Sequence, residues 1–312
     1  MSSAFTCKSR FLLRKLTAVP KSCLFQRFLR VTKSNKYRFS TMAGSDNYAK
    51  LFSSEKIAQA YARFRPDYNA AVWDVIMDYC EKGTCHFELA VDVGCGTGQS
   101  TLPLSERFKQ VIGIDVSEQQ IKHAQSNSKA SNISYRVGAA EDLSKIQDGS
   151  VDLITCAQAL HWMDLEKFYP EVTRVSRPGG SLVAYGYGIW CLDVKEAEDI
   201  CMQFYGETLG PYWGTGRKHV EEKYSQFALP FPGWVRHEDI WQEKEFTVDD
   251  FCGYMSSWSA YHKYKEEHPE ETELSAVCTK LKKLYSERED PPGPGVMTVK
   301  WPVFLLMGRK PE

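Results

Sequence analysis

The chain has 312 residues, of which 43% are apolar and 25% charged, with a formal net charge of −1. That length suits one large domain or a domain with a leader, and the apolar share is enough for a globular core. No run reaches the roughly 18 uncharged apolar residues of a membrane span, so a transmembrane role is not expected. The ten cysteines are scattered without a CxxC or paired spacing. This fits ordinary buried thiols in a reducing compartment better than a disulfide framework. The seven histidines form no zinc-like spacing, so no metal site is expected.

Residues 1–45 hold ten of the 39 basic residues, from Lys8 to Arg38, and no acid. An Arg-rich, Ser/Thr-containing, acid-free stretch has the composition of a mitochondrial transit peptide, and this one lacks the continuous apolar segment of a secretory signal. Arg38-Phe39-Ser40-Thr41 has the form of a matrix-processing site. Segment 1–42 therefore reads as a leader that sends the full-length chain to the mitochondrial matrix; a disordered basic tail is the alternative. Initiation at Met42 would give a cytoplasmic form. Residues 43–312 read as one domain, with a core over 88–186 and a lid and hairpin over 187–312. The remaining 29 basic residues face 40 acidic ones. That acidic balance argues against a nucleic-acid partner, which needs a basic surface.

Ser54 caps a helix predicted over 54–64, and Arg65-Pro66-Asp67-Tyr68 stops it. A second helix is predicted over 69–81, with Val72, Trp73, Val75, Ile76 and Tyr79 near helical spacing. Strands follow at 88–93, 111–115, 133–137, 151–156 and 181–185. Helices are predicted from near Gly98, from Ser117, and over 164–176. Arg177-Pro178-Gly179-Gly180 reads as a turn. Strands alternating with helices imply a mostly parallel sheet covered on both faces, a doubly wound Rossmann-like α/β fold. From 186 to 235 the pattern breaks into glycines, prolines and aromatics, which suggests a helical insertion acting as a lid. A strand at 236–247, helices at 249–265 and 270–287, and a last strand at 296–307 complete seven strands ending in an antiparallel hairpin. Pro302 is awkward in that last strand because it removes a ladder bond.

The densest signal is Glu88-Leu89-Ala90-Val91-Asp92-Val93-Gly94-Cys95-Gly96-Thr97-Gly98-Gln99. An apolar run ends in a carboxylate, Asp92, followed by glycines at 94, 96 and 98. Such a turn lets a small molecule approach bare backbone. The helix after it would add free N–H groups and the positive end of its dipole. A second apolar run ends in Asp115, placed to accept hydrogen bonds from both hydroxyls of a ribose. The structural alternative for Asp115 is a helix cap. Two adenosine-bearing ligands compete. The dinucleotide fingerprint needs a glycine where this chain has Gln99, and a pyrophosphate would disfavour the Asp92 carboxylate. Both points favour S-adenosylmethionine (SAM) over NAD.

Val91-Asp92-Val93-Gly94-Cys95-Gly96-Thr97-Gly98 resembles motif I of the class I SAM-dependent methyltransferases. Gly138-Ala139-Ala140-Glu141-Asp142-Leu143 is similar to their loop after the third strand, where an acid and a neighbouring N–H read the adenine edge. Asp148-Gly149-Ser150-Val151-Asp152 and Arg177-Pro178-Gly179-Gly180 also match family patterns. Tyr61-Ala62-Arg63-Phe64-Arg65-Pro66-Asp67-Tyr68, Gln158-Ala159-Leu160-His161-Trp162-Met163-Asp164 and Ser257-Trp258-Ser259-Ala260-Tyr261 resemble a narrower type 11 subgroup that includes trans-aconitate methyltransferases. The resemblance implies SAM as cofactor, with Asp92, Gly94, Gly96, Gly98, Asp115, Ala140, Glu141, Gln158 and Arg65 at its site. Arg65 would neutralise the cofactor carboxylate, or else make a surface ion pair. The family pattern has an acid at the position of Ala139, so the adenine contact falls to Glu141 or Asp142. It also implies a small-molecule methyl acceptor such as a carboxylic acid.

His161 lies just past the fourth strand, where it would orient an acid or act as a base toward a hydroxyl or amine. Packing is its structural alternative. Tyr187, Trp190, Trp213, Trp258 and Tyr261 either wall off the sulfonium or form lid core. Arg217, Lys218 and His219 form a basic cluster suited to an acidic substrate or to a solvated loop. The competing functions are a non-catalytic scaffold on the same fold and an NAD-linked oxidoreductase.

Overall fold

The computed structural model describes residues 64–290 and 292–312. The leader 1–42, Met42, and the helix predicted over 54–64 as far as Arg63 lie outside the described residues. Helix α1 (Ala70–Glu81) starts at Asn69, whose side chain accepts from the Val72 N–H, and it buries Val72, Ile76, Met77 and Cys80. Five strands follow: β1 (Leu89–Val93), β2 (Gln110–Asp115), β3 (Ile133–Val137), β4 (Val151–Ala157) and β5 (Ser176–Tyr187). Helix α2 (Glu118–Asn127) is capped by Ser117, and α3 (Leu165–Val175) follows β4. Next come β6 (Cys191–Leu192), α4 (Lys195–Gln203) and α5 (Arg217–Glu221). Strand β7 (Val235–Thr247), helices α6 (Val248–Ser256), α7 (Ser259–Glu267) and α8 (Glu273–Ser286), and strand β8 (Val296–Arg309) complete the order.

The sheet runs β3-β2-β1-β4-β5-β8-β6, with β7 paired to β8. Strands β1 to β5 are mutually parallel, and β8 is antiparallel to β5, β6 and β7. The chain runs outward from β1 to β3, then returns to place β4 on the other side of β1. The crevice at the carboxyl ends of β1 and β4 is thus a topological switch point, where open α/β sheets bind ligands. One apolar core joins α1 and the helices after β7 to one sheet face; a second packs α3 and residues 220–231 on the other.

Several expectations are corrected. The sheet has eight strands, not seven, the extra one being the two-residue β6. The helix expected near Gly98 is a run of turns followed by a five-residue 3₁₀ helix, Leu102–Glu106. Gly98 at φ +86° is outside the helical region, and Pro103 lacks the N–H of a regular turn. No α-helix N-terminus, and so no helix dipole, stands at the glycine turn. Arg177-Pro178-Gly179-Gly180 is not a free turn. It belongs to β5, where Val151 pairs with Ser176 and Leu153 with Ser181. Six β5 residues thus span three of β4, and Gly179 takes the left-handed φ of +74° that the irregularity requires.

The single helix expected over 249–265 is two, α6 and α7, because Trp258 takes an extended backbone and drives its ring into the core. Cys252 and Cys278 form a disulfide tying α6 to α8, at a Cα–Cα distance of 6.1 Å. It departs from the expectation of thiols alone. Pro302 is accommodated by a gap: β5 pairs with β8 as far as Val303 and β6 begins at Lys300. The Pro302 carbonyl accepts from Gly188 N–H at 2.8 Å, so its N faces the interruption, where no ladder bond is needed.

Candidate functional site

The turn after β1 is held by β2: the N–H groups of Gly94 and Cys95 both donate to the Ile114 carbonyl, at 2.8 and 3.0 Å. Gly94 has φ +69°, and a Cβ there would stand 2.5 Å from Cβ of Ala159. Only glycine lets the turn press against the segment after β4. A Cβ on Gly96, at φ +54°, would meet nothing within 4 Å and would project into open space. Gly98 is different. A Cβ there would stand 2.5 Å from the Tyr135 hydroxyl, so its bareness serves packing against β3 rather than the cleft.

Asp92 also turns away from the cleft. It is fully buried, and its carboxylate accepts from the hydroxyls of Ser100 (2.8 Å), Thr101 (2.7 Å) and Thr155 (2.7 Å). The expectation that it stands beside the ligand is corrected: it clamps the glycine turn to β4 and to the 3₁₀ segment. Burial raises its pKa, opposed by the three hydroxyls. Thr155→Val should cost about 1–3 kcal/mol, because it strips one bond from a buried carboxylate. Urea unfolding measures this, and an unchanged midpoint would remove Asp92 from the turn's support.

Asp115 sits at the mouth of β2. Its Oδ2 accepts from Gly96 N–H at 2.9 Å and its Oδ1 from Ser117 N–H at 2.8 Å. It borders a cleft with Gly94, Val116, Gly138, Ala140, Glu141, Ala159, Trp162 and Met163. Burial outweighs the two N–H donors and raises its pKa to about 6. Within this cleft Glu141 also accepts from Asp164 N–H at 2.8 Å, whereas Asp142 is exposed and bonds Ser144 N–H.

A second cleft continues past Gly94 and Gly96 to Arg65, Tyr68, Gln158 and Tyr187. Gln158 takes a left-handed φ of +52° and donates from Nε2 to the Tyr187 carbonyl at 2.9 Å. Arg65 donates to the Ser257 carbonyl at 3.3 Å and lies over the Tyr254 ring. A third cleft shares Arg65, Gln158 and Tyr187 with the second, and adds His161, Trp213, Arg217 and Ser259. Trp162 belongs to the first and third. Through these shared lining residues the three adjoin one another in the crevice at the switch point.

In the third cleft, His161 Nδ1 lies 2.7 Å from the Tyr224 hydroxyl. Burial first, then the charges of Arg217 and His219, push its pKa down to about 3, so the ring is neutral. Arg217 donates to the Tyr205 hydroxyl at 2.5 Å, lies 3.6 Å from Glu221 and stacks over Trp213. Of the basic cluster only Arg217 faces this cleft; Lys218 pairs with Glu222, and the His219 ring stacks on Phe227. Tyr187 and Trp213 line the crevice, whereas Trp190 and Trp258 are core.

The structure thus brings Gly94, Gly96, Asp115, Ala140, Glu141, Gln158, Arg65 and His161 to one crevice and leaves Asp92 and Gly98 behind it. Sequence reasoning missed Val116, Met163 and Tyr68. Val116 follows Asp115 directly and Met163 follows the His-Trp pair, so adjacency was the available signal. Among the described residues no group of three His, Cys, Asp or Glu could hold a metal ion.

A family profile described as a methyltransferase domain matches residues 91–184. A Dictyostelium discoideum protein named as a methyltransferase is 34% identical over 256 residues, covering 81% of this chain and 93% of that protein. The chain belongs to the class I SAM-dependent methyltransferases. A Saccharomyces cerevisiae protein named as an S-adenosylmethionine-dependent methyltransferase is 26% identical over 283 residues, 81% of this methyltransferase and 95% of its own length. A solved structure of an Anaeromyxobacter dehalogenans protein described as a methyltransferase superposes with a TM-score of 0.66 at 31% identity. That match covers 80% of this enzyme and all of the bacterial chain. The enzyme uses SAM as its methyl donor, which sets aside the nicotinamide alternative. The crevice fits that cofactor: a bare glycine cradle whose Gly96 borders open space in the cleft, a buried carboxylate at the end of β2, and an apolar wall of Val116, Trp162 and Met163.

Proposed function

We propose that the enzyme methylates a small carboxylic acid, in keeping with its resemblance to the trans-aconitate methyltransferase-like subgroup. The observation that carries this reading is Arg217, a guanidinium in the cleft that joins the glycine-turn cleft through Arg65, Gln158 and Tyr187. When bound, SAM supplies an electrophilic methyl group on a sulfonium. Asp115 would accept from the ribose hydroxyls, the Ala140–Glu141 segment and the Val116–Met163 wall would hold the adenine, and Arg65 would neutralise the cofactor's carboxylate. Arg217 docks the acceptor's carboxylate, a charge-assisted bond that also fixes its orientation. Tyr187 and Trp213 keep water from the reacting atoms. The chemistry so supported would be methyl transfer to an acceptor oxygen, with a methyl ester and S-adenosylhomocysteine as products. A carboxylate is already ionised, so no base is required. Holding the partners in line can supply about 7–11 kcal/mol of the barrier reduction.

The test is S-adenosylhomocysteine release with a panel of small mono-, di- and tricarboxylic acids. Turnover is expected with at least one acid. Arg217→Gln should raise KM for that acid by roughly tenfold to a hundredfold, the value of a charged hydrogen bond, and leave SAM affinity unchanged. Turnover confined to neutral alcohols or amines would overturn the reading.

The acid-free, Arg-rich first 42 residues support matrix targeting of the full-length chain, with a cytoplasmic form from Met42. Cell fractionation should place the full-length chain in mitochondria and a Met42-start chain in the cytoplasm. Identical distribution of the two would contradict a targeting role.

A further inference from the structure

We propose that Tyr224 is a positioning residue for methyl transfer, holding His161 at Nδ1 so that Nε2, bearing the ring's one proton, faces the acceptor as a neutral hydrogen-bond donor. This rests on reading the His161 cleft as the acceptor side. Three contacts orient the ring. The Tyr224 hydroxyl lies 2.7 Å from Nδ1. The main chain at Gly216 covers the opposite edge so closely that a Cβ there would stand 2.9 Å from His161 Cδ2. The indole of Trp162 lies beside the imidazole, with ring centroids 5.0 Å apart. With Nδ1 engaged, Nε2 is the polar atom left for the cleft that His161 lines.

Tyr224 is built for this position. It is fully buried, with its ring edge-on to Phe304 at 4.9 Å and tilted against Phe227 at 5.1 Å. It sits just after α5 in a turn where Lys223 and Tyr224 both adopt left-handed backbone, at φ +53° and +57°. Two consecutive non-glycine residues in that region persist only where surrounding structure over-determines them, and such sites cluster at function. Here the Tyr224 N–H donates to the His219 carbonyl at 2.7 Å, Arg236 donates to the Lys223 carbonyl, and Lys223 pairs with Glu238. Strand β7 thereby pins the turn that aims the phenol at His161.

This contact is assigned one tautomer. In the proposed arrangement the phenol O–H donates to an unprotonated Nδ1, which leaves the imidazole proton on Nε2; the reverse arrangement, with Nδ1–H donating to the phenol oxygen, is the one the test below would reveal. The charged and titratable groups facing the ring, Arg217 and His219, together with burial, hold off a second proton. A ring so hard to protonate is a poor base but a good neutral donor. An ionised acceptor needs the donor and has no proton to surrender.

The test is ¹⁵N NMR of the full chain labelled at histidine, with the His161 signal assigned by its loss in His161→Asn. Expected for wild type is a protonated Nε2 and a bare Nδ1, with no titration from about pH 5.5 to 8. In Tyr224→Phe, which keeps the ring packing, His161 should show a mixture of tautomers while the thermal shift given by S-adenosylhomocysteine stays the same. A proton on Nδ1 in wild type, or an unchanged Nε2–H signature in Tyr224→Phe, overturns the proposal. The wild-type tautomer decides even if the variant does not fold. Absence of any S-adenosylhomocysteine shift in wild type would count against the cofactor site instead and leave the tautomer result standing.

Discussion

Replacing Trp258 by alanine is expected to cost about 3–5 kcal/mol of stability, the range for removing a buried aromatic from a packed core. Trp258 is 2% exposed and stands at the centre of an aromatic cluster. Its ring lies 5.0 Å from Trp190, 5.5 Å from Tyr254, 5.7 Å from Tyr205 and 5.8 Å from Trp213. The cavity left by its loss could not collapse easily, because α6 is tied to α8 by Cys252–Cys278 and packs on β7. Tyr205 and Trp213 also stack with Arg217, so the loss should loosen the acceptor cleft as well. Urea unfolding measures the effect, with Leu102→Ala, at a 47% exposed position, as a control expected within about 0.5 kcal/mol of wild type. Equal midpoints for the two variants would remove Trp258 from the core and restore it as a candidate wall of the active site.

Asp115→Ala is expected to weaken SAM binding by about 1.5–3 kcal/mol, the value of hydrogen bonds to a charged acceptor. The loss has two sources. The ribose hydroxyls lose their acceptor, and the Gly96 N–H loses the bond that shapes the glycine turn. Calorimetric titration of SAM into both proteins reads it, and unchanged affinity would refute the ribose role. The same carboxylate predicts a pH dependence. Burial raises its pKa from 3.8 to about 6, so the ionised, acceptor-only form is present above that value and is lost as pH falls through it. SAM affinity should therefore decline below about pH 6 in wild type and lose that dependence in Asp115→Asn.

The parts legible in the sequence are those set by short-range pattern. β1, β2 and β4 begin or end within one residue of the expected bounds, because a buried parallel strand is a local run of apolar residues, and the half-exposed edge strand β3 also stands at its expected bounds. The errors lie where distant pairing decides. Residues 177–180 carry turn chemistry, yet β4 and Lys310, which bonds Gly179 and Gly180, draw them into the sheet. The break at Trp258 follows from a core cluster assembled from four separate segments, a pattern that no single window reveals. The Cys252–Cys278 pairing depends on α6 and α8 packing together across 26 residues of chain.

The crevice divides in the same way. Gly94, Gly96 and Asp115 reach it because strand ends at a switch point are dictated by topology, and topology followed from the alternation of elements. Asp92 carries the family signature but spends its lone pairs on three hydroxyls, two of them on the turn it precedes. Spacing alone did not distinguish a carboxylate facing a ligand from one bracing the loop that does. Tyr224 lies 63 residues beyond His161 and carries no motif. Its contact exists only once β7 and the 217–224 turn are folded.

The most direct test of the account is transfer of labelled methyl from SAM into the small-molecule fraction of a cell extract, followed by mild alkali. The account predicts a labelled small acid that releases its label as volatile methanol, the behaviour of a methyl ester, with the signal abolished in Asp115→Ala at limiting SAM. Label that survives alkali, or that appears in protein or RNA and not in small molecules, would contradict it.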